Sequence, residues 1–491
     1  MIAYDAADEV SDMPIGCWID GALEVAHGDS TIDLTDPASG KTFGRYRAGS
    51  ASDVDAAVGA ATRGLRGDWR AFAPRRRAEI LAKAAELLAT RAESLARVDS
   101  LCVGKPLREA RADIAVAVRF LQYYAGAADK LEGETIPMGP DFWATTELEP
   151  VGVVVQIVPW NTPLPMLLRG VAPALAAGCT VIAKPAELTP YSALVMARIF
   201  ADAGLPAGVF NVVPGVGDQV GAQLAQHPGV AHIGFTGSVA TGQSVMRAAA
   251  DHLASVTLEL GGKSPLVVLD DADIEMAVQG AVTGIFSNAG QVCAAASRLI
   301  VLPAIAERLI EKIIAKADAL RLGPGLNDPD MGPVVSSRQL GKIEAMVREA
   351  ISLTGTQVLA GGSRAVVPSC EEGYFFRPTV LEVDRADARI ANEEVFGPVL
   401  VVERATDFDH AIALANHTPY GLVAGIYTQD INKAMRFARA VDCGQVYVNR
   451  YFAGGVETPV GGTKQSGFGR EKGLRGLHAY LRSKCTTVYL G

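Results

Sequence analysis

The chain has little with which to bind a metal or to staple a fold covalently. Its seven cysteines (17, 102, 179, 293, 370, 443 and 485) are dispersed and never approach Cys-x-x-Cys spacing. An odd, scattered set fits a reducing cytosol and speaks against a zinc site or a disulfide framework, so a cytoplasmic protein without a metal is expected. Basic runs are missing as well: net charge is −9, pI about 5.4, and the longest Lys/Arg run is Arg75-Arg76-Arg77. A nucleic-acid binder should carry a basic patch or stripe, which excludes that class. No apolar run approaches the ~20 residues needed to span a bilayer. Residues 1–9 are acidic and lack the charged-then-apolar layout of a secretory leader, so neither a membrane partner nor a leader is expected.

What remains is ordinary globular composition, 49% hydrophobic and 20% charged. At 491 residues the chain is too long for one core and implies two or three domains. Residues 16–47 alternate short apolar runs with Gly, Asp and Pro, as edge hairpins do. Helical periodicity starts at Ser52, and a longer helix opens at Pro74, carries Ile80, Ala84, Leu88, Leu95 and Val98 inward, and ends at Gly104 and Pro106. A third helix covers about 107–128. Residues 131–149 read as an exposed hairpin around Pro137-Met-Gly-Pro140, a liability unless something covers it; a second copy of the chain is the natural cover.

From Val151 the rhythm is strand, helix, strand: strands at 151–158, 180–183, 210–213 and 230–235, with helices at 164–177, 189–203, 217–226 and 238–251 between and after them. Short, near-continuous apolar strands separated by amphipathic helices predict a parallel sheet covered on both faces. A second α/β series follows, with strands near 265–269, 298–302, 375–380, 398–403, 422–427 and 445–448. The tail, 486–490, reads as a strand able to pair with the 131–149 hairpin.

Ligands of open parallel sheets bind beyond the carboxyl ends of the strands. Three such ends are polar here. Pro159-Trp160-Asn161 breaks the first strand and sends an amide past the sheet. Lys184 and Glu187 place a cation and a carboxylate three residues apart. Gly234-Phe-Thr-Gly-Ser238 leads into a helix whose first N–H groups are free to meet a phosphate, although Ser238 reads equally well as an ordinary helix cap. A carboxylate at Glu187 would hold ribose hydroxyls and repel a 2′-phosphate, favouring NAD over NADP; the alternative is a surface pair of little consequence.

Cys293 sits among small residues, from Ala289 and Gly290 to Ala294-Ala-Ala296, between a helical pattern and a core-like strand. Such a loop gives room to approach the thiol, though free cysteines are also common small core residues. Glu259 stands in Val256-Thr-Leu-Glu-Leu-Gly-Gly262, an otherwise apolar strand. Low-dielectric surroundings would raise its pKa toward that of a useful general base.

Leu258-Glu-Leu-Gly-Gly-Lys-Ser-Pro265 and Asn288-Ala-Gly-Gln-Val-Cys293 resemble the glutamate and cysteine motifs of the aldehyde dehydrogenase superfamily. So do Pro159-Trp-Asn161, Lys184-Pro-Ala-Glu187, Phe235-Thr-Gly-Ser238, Glu393-Glu-Val-Phe-Gly-Pro398 and Pro459-Val-Gly-Gly-Thr-Lys-Gln-Ser-Gly467, in the family's order from about residue 16 to 490. The resemblance implies three parts: a Rossmann-like NAD-binding domain (1–130 and 151–258), a catalytic α/β domain (259–470), and a small hairpin oligomerisation domain (131–150 and 471–491). It implies that Cys293 attacks an aldehyde, that Asn161 and the Cys293 N–H stabilise the oxyanion, and that Glu259 activates water against the thioester. NAD, with NADP less favoured, would lie against Ile157, Val158, Pro159, Trp160, Lys184, Glu187, Gly217, Phe235, Thr236, Gly237, Ser238, Leu260, Gly261, Gln339, Glu394 and Phe396. A homodimer or homotetramer is implied. Two other readings stand beside hydrolysis: a CoA-acylating dehydrogenase and a catalytically idle NAD-binding member. A Cys–His hydrolase is disfavoured, since none of the seven His residues lies in a motif of that kind.

Departures from the family pattern bear on substrate. Thr162, Arg169 and Val460 stand where aromatics are common, which argues against a simple long-chain alkanal and for a semialdehyde or another polar or aromatic aldehyde. Thr162, Met166 and Arg169 share one helix face, and with Val292, Ala294, Arg450 and Val460 they are the expected substrate wall. Arg169 either grips a substrate carboxylate, with Arg450 assisting, or is satisfied internally, Glu457 being the expected partner.

Overall fold

The computed structural model describes residues 16–491; the leader reading of residues 1–9 and the first part of the expected cofactor unit lie outside the described residues. The first sheet has the order Ala22–Glu24, Cys17–Ile19, Phe210–Val212, Thr180–Lys184, Val153–Ile157, His232–Thr236, Ser255–Glu259 and Gly467–Phe468. Its five central strands run parallel, and the two flanking pairings are antiparallel. Val153–Ile157 and Thr180–Lys184 are buried at every position, as strands covered on both faces must be. The chain winds outward one way from Val153–Ile157 and then the other way from His232–Thr236. The crevice where strand order reverses therefore opens beyond Ile157 and Thr236.

The second sheet runs Thr356–Ala360, Thr379–Val383, Val399–Arg404, Arg298–Val301, Pro265–Val268, Val423–Tyr427 and Gln445–Val448, parallel except for its first strand. Gly467–Phe468 leaves this half of the molecule and zips onto the edge of the first sheet, with Gly467 opposite Glu259. A third, three-stranded sheet joins Phe142–Pro150 along its whole length to Leu481–Tyr489, with Thr135–Ile136 on the far side. The expected tail strand thus pairs with the hairpin but begins five residues earlier than 486. Trp143 is 52% exposed and Tyr489 69%, so this sheet keeps an apolar face open.

Several expectations need correcting. The helix expected from Pro74 to Gly104 is two, Pro74–Thr90 and Ala92–Val103, turning at Arg91. The bend lets Ile80, Ala84 and Leu88 join the main core while Val98, Leu101 and Cys102 pack against Leu34, Tyr46 and Tyr191. The helix expected over 189–203 is Tyr191–Asp202, and 217–226 starts as a wide turn, Gly217–Gly221, before Ala222–Gln226. The strand expected at 375–380 lies at Thr379–Val383, after Pro378, and the edge strand Thr356–Ala360 was not anticipated. Among the described residues no helix is long and apolar enough to cross a membrane.

Candidate active site

A cavity of about 190 Å³ opens at the reversal point. Pro159, Trp160 and Asn161 reach it from the end of Val153–Ile157, and Met166 from the following helix, Pro163–Ala177. Thr236, Gly237 and Ser238 arrive from the next strand; Glu259, Leu260 and Gly261 come from the strand after that. The second half of the molecule supplies Cys293, Gln339, Lys342, Glu394 and Phe396. The three residues expected to do chemistry are therefore brought to one cavity from three different elements.

The loop carrying Cys293 is shaped by backbone geometry. Helix Ile274–Phe286 ends, and Asn288, Ala289 and Gly290 take left-handed conformations in succession (φ 48°, 52° and 72°). Two of these are not glycine, a strain typical of functional loops. At Gly290 a Cβ would meet the Gly397 carbonyl at 2.0 Å, so no side chain is tolerated there. Side-chain amides pin the turn: Asn288 Nδ2 donates to the Asn161 carbonyl (3.0 Å), Gln291 Nε2 to the Asn288 carbonyl (3.0 Å), and the Val335 N–H to Gln291 Oε1 (2.8 Å). Asn161 Nδ2 donates to the Gln291 carbonyl at 2.9 Å, which uses one of its two N–H bonds and leaves the other. Asn161 is thereby fixed to the Cys293 loop itself.

Electrostatics divide the cavity. Burial pushes the Cys293 thiol up to about 11, with Arg169 pulling the other way. Glu259 is pushed up to about 8, first by burial and then by the Glu471 carboxylate, again opposed by Arg169. Its Oε1 is buried without a partner among the described residues. Burial also raises Glu394, whose Oε1 accepts from the Gly262 N–H at 3.1 Å. Gly261 is needed beneath it, since a Cβ there would lie 2.4 Å from Glu394 Oε2.

The other expected cofactor residues fall into layers. Ile157, Val158 and Phe235 are buried beneath the cavity floor. Lys184 is buried, its charge disfavoured by burial, and lies 3.5 Å from Glu187 at the neighbouring strand end. Gly217 is exposed at the start of its wide turn and does not line the cavity. Trp160 and Phe396 meet edge-on at 5.4 Å. Gln339 lines the cavity, and its Nε2 donates to the carbonyls of Val395 (3.1 Å) and Phe396 (2.8 Å), holding Phe396 in a left-handed backbone. Lys342, one turn further along helix Ser337–Ser352, was not anticipated; its Nζ donates to the Glu394 carbonyl at 3.2 Å.

The substrate wall needs most revision. Arg169 is buried and ion-paired with Glu471, and its Nη2 donates to Thr236 Oγ1 at 3.2 Å. Glu457, the partner expected from sequence, instead pairs with Arg119 at 2.5 Å. Glu471 can reach Arg169 because its backbone is bridged to Val460 beside the Gly467–Phe468 strand. Thr162 has a buried hydroxyl without a partner among the described residues. Val292 and Ala294 flank Cys293, half-buried, and Arg450 is exposed. Aromatics do pack beside the Cys293 loop, though outside the cavity lining: Tyr447, Tyr451 and Phe452 cluster at 4.9–6.4 Å, and Tyr451 Oη donates to the Ala294 carbonyl at 3.0 Å. Tyr447 comes from the strand Gln445–Val448 and the other two from the turn after it, where no motif signals them.

Fold and cavity together define a dinucleotide-type sheet joined to a second α/β half that brings Cys293 to the cavity. Residues 25–486 match the model of the aldehyde dehydrogenase family, and the chain belongs to that family: it is an oxidoreductase of the aldehyde-oxidising class. It is 40% identical over 476 residues to DhaS of Bacillus subtilis (strain 168), whose aldehyde dehydrogenase assignment is itself provisional; the match covers 96% of this chain and 95% of that one. Among solved structures, it resembles betaine aldehyde dehydrogenase of Staphylococcus aureus in complex with NAD+ (TM-score 0.97, 36% identity, 99% of this chain and 97% of that one). It is also similar to the NAD+ complex of an aldehyde dehydrogenase from Bacillus cereus (TM-score 0.96, 38% identity, 100% and 99% coverage).

Proposed function

We propose that the protein oxidises an aldehyde to its carboxylic acid with NAD, through a thioester on Cys293 that water hydrolyses. The observation that carries this is the convergence of Cys293, Asn161 and Glu259 on one cavity, with Glu259 Oε1 unpartnered inside it. A dinucleotide suits the residues present. Ser238 lines the cavity while its hydroxyl caps helix Val239–Ala250 by accepting the Thr241 N–H at 3.3 Å, which leaves the other first-turn N–H groups for an anion, and Glu187 stands beside Lys184 for ribose hydroxyls. NAD bound there supplies the hydride acceptor.

The chain's own groups do the rest. With its pKa near 11, the Cys293 thiol must lose its proton as it attacks the carbonyl carbon, and Glu259 is the base at hand. The remaining Asn161 amide N–H and the Cys293 backbone N–H hold the oxyanion, a contribution of about 10²–10³ in rate per donor. Once the hydride has left, Glu259 releases the thiol proton to solvent, takes a proton from the water that attacks the thioester carbon, and returns that proton to the departing Cys293 thiolate. The acid departs and the thiol is restored. The Tyr447–Tyr451–Phe452 cluster supports an aromatic or otherwise bulky polar aldehyde, and the Arg169–Glu471 pair weakens the case for a carboxylated one.

In this reading residues 1–130 and 151–258 bind the cofactor and 259–470 carry the nucleophile. Segments 131–150 and 471–491 pair within the chain, and the apolar face their sheet leaves exposed is covered by another subunit of a dimer or tetramer. The test is NADH formation with a panel of aldehydes, with NAD or NADP and with or without CoA. Turnover with NAD alone is expected. Absolute dependence on CoA would assign the acylating chemistry, and NAD binding without turnover on any aldehyde would mark an idle member.

A further inference from the structure

Glu109 lies outside the cavity, on helix Leu107–Ala127 of the cofactor half, and no step above uses it. Its partly buried carboxylate nevertheless crosses between the two halves of the molecule: Oε2 accepts the backbone N–H of Asn288 at 2.8 Å. Asn288 is the first of the three left-handed residues that turn the chain toward Cys293, and its N–H points back out of that turn. The same residue fastens the other catalytic groups, since its amide bonds the Asn161 carbonyl (3.0 Å) and the Gln291 carbonyl (3.3 Å), which in turn accepts from Asn161 Nδ2. One carboxylate thus anchors the point from which both the nucleophile loop and the oxyanion donor are hung.

We propose that Glu109 is a positioning residue, which fixes the left-handed Asn288 turn and thereby the relative placement of Cys293 and Asn161. The inference rests on the reading of Cys293 as nucleophile. The groups facing Glu109 are Lys105, Asp113 and Arg108, and Lys105 is itself held by Asp113 at 2.5 Å. Among the described residues Glu109 therefore has no close ion-pair partner of its own, and its pairing with the Asn288 N–H is the specific contact. Burial raises its pKa to about 7, which suits an acceptor that works protonated or not, through its oxygen rather than its charge.

Three substitutions separate acceptor geometry from charge and from fold. Glu109→Gln keeps an oxygen at the same reach, Glu109→Asp keeps the charge but is one methylene too short, and Glu109→Leu has neither. The readouts are the rate of the first-turnover NADH burst, the rate of Cys293 alkylation by iodoacetamide, KM for NAD and aldehyde, and the melting temperature. Gln should stay within about threefold of wild type. Asp and Leu should each lose about 5- to 150-fold in the burst rate, the cost of leaving the buried Asn288 N–H without its acceptor, with both KM values nearly unchanged. If Leu fails to fold, the Asp–Gln comparison decides. Equal activity in all three overturns the proposal, as does a loss in Gln matching that in Asp, or a loss confined to the KM for NAD. A wild type with neither burst nor alkylation at Cys293 would instead overturn the reading of the nucleophile.

Discussion

Replacing Glu471 with Gln tests how the buried charges around the general base are arranged. The substitution keeps volume and removes one negative charge. Arg169 loses its buried counter-ion, and the next carboxylate acting on it is Glu259. Both consequences for Glu259 have the same sign. Repulsion from Glu471, which raises its pKa, disappears, and attraction to Arg169, which lowers it, is no longer neutralised. A unit charge at roughly 8 Å and an effective dielectric of ~20 is worth about 2 kcal/mol, or about 1.5 pH units. Hydrolysis should rise with pH as Glu259 ionises, with a midpoint near 8 in the wild type, and E471Q should move that midpoint down by roughly one to two units. The assay is steady-state kcat against pH, with E259Q as baseline. Removing one member of a buried pair costs ~3–5 kcal/mol, so melting is followed in parallel; removing both, as in R169L/E471L, should restore most of that loss. A midpoint that stays put or rises in a folded E471Q would refute the charge arrangement.

Other predictions follow from the same geometry. Arg169→Leu should reduce kcat/KM for a short semialdehyde acid and for an alkanal of equal length by similar factors, since the guanidinium is committed to Glu471; a tenfold greater loss for the acid, measured side by side, would return Arg169 to substrate binding. Asn161→Ala should lower kcat about 10²- to 10³-fold while the Kd for NAD, read by titration, holds. Glu187→Gln should raise the kcat/KM ratio of NADP to NAD by about tenfold, as expected when ~1.4 kcal/mol of repulsion is removed; an unchanged ratio would clear Glu187 of that role. Because its raised pKa means Glu259 binds its proton more tightly folded than unfolded, the wild type loses stability as pH rises from about 4.5 to about 8. The melting temperature of E259Q should therefore pull ahead of wild type across that window and run parallel above it.

Much of the site was legible because its parts are carried on contiguous stretches. A thiol among alanines, a lone carboxylate in an apolar strand, and an amide just past a strand end each announce themselves locally. Glu109, Gln291, Lys342 and Glu471 did not, because their partners lie far along the chain. Lys342 reads as one charge on a solvated helix, and Glu109 as another. Glu457 looked the better partner for Arg169 until the Gly467–Phe468 strand, by pairing with Glu259, swung Glu471 into place. The turn at Arg91 carries no Gly or Pro, so periodicity ran through it. The edge strand Thr356–Ala360, half exposed and polar at Gln357, lacks the apolar density that marked its neighbours.

The account rests on Glu259 as the base that releases the acyl group from Cys293. Mixing Glu259→Gln with NAD and a good aldehyde substrate, then following NADH and the mass of the Cys293 peptide, addresses that claim directly. A burst of about one NADH per active site is expected, followed by near-silent steady turnover, with Cys293 carrying the acyl group of the substrate. Sustained turnover at the wild-type rate, with Cys293 unmodified, would contradict it.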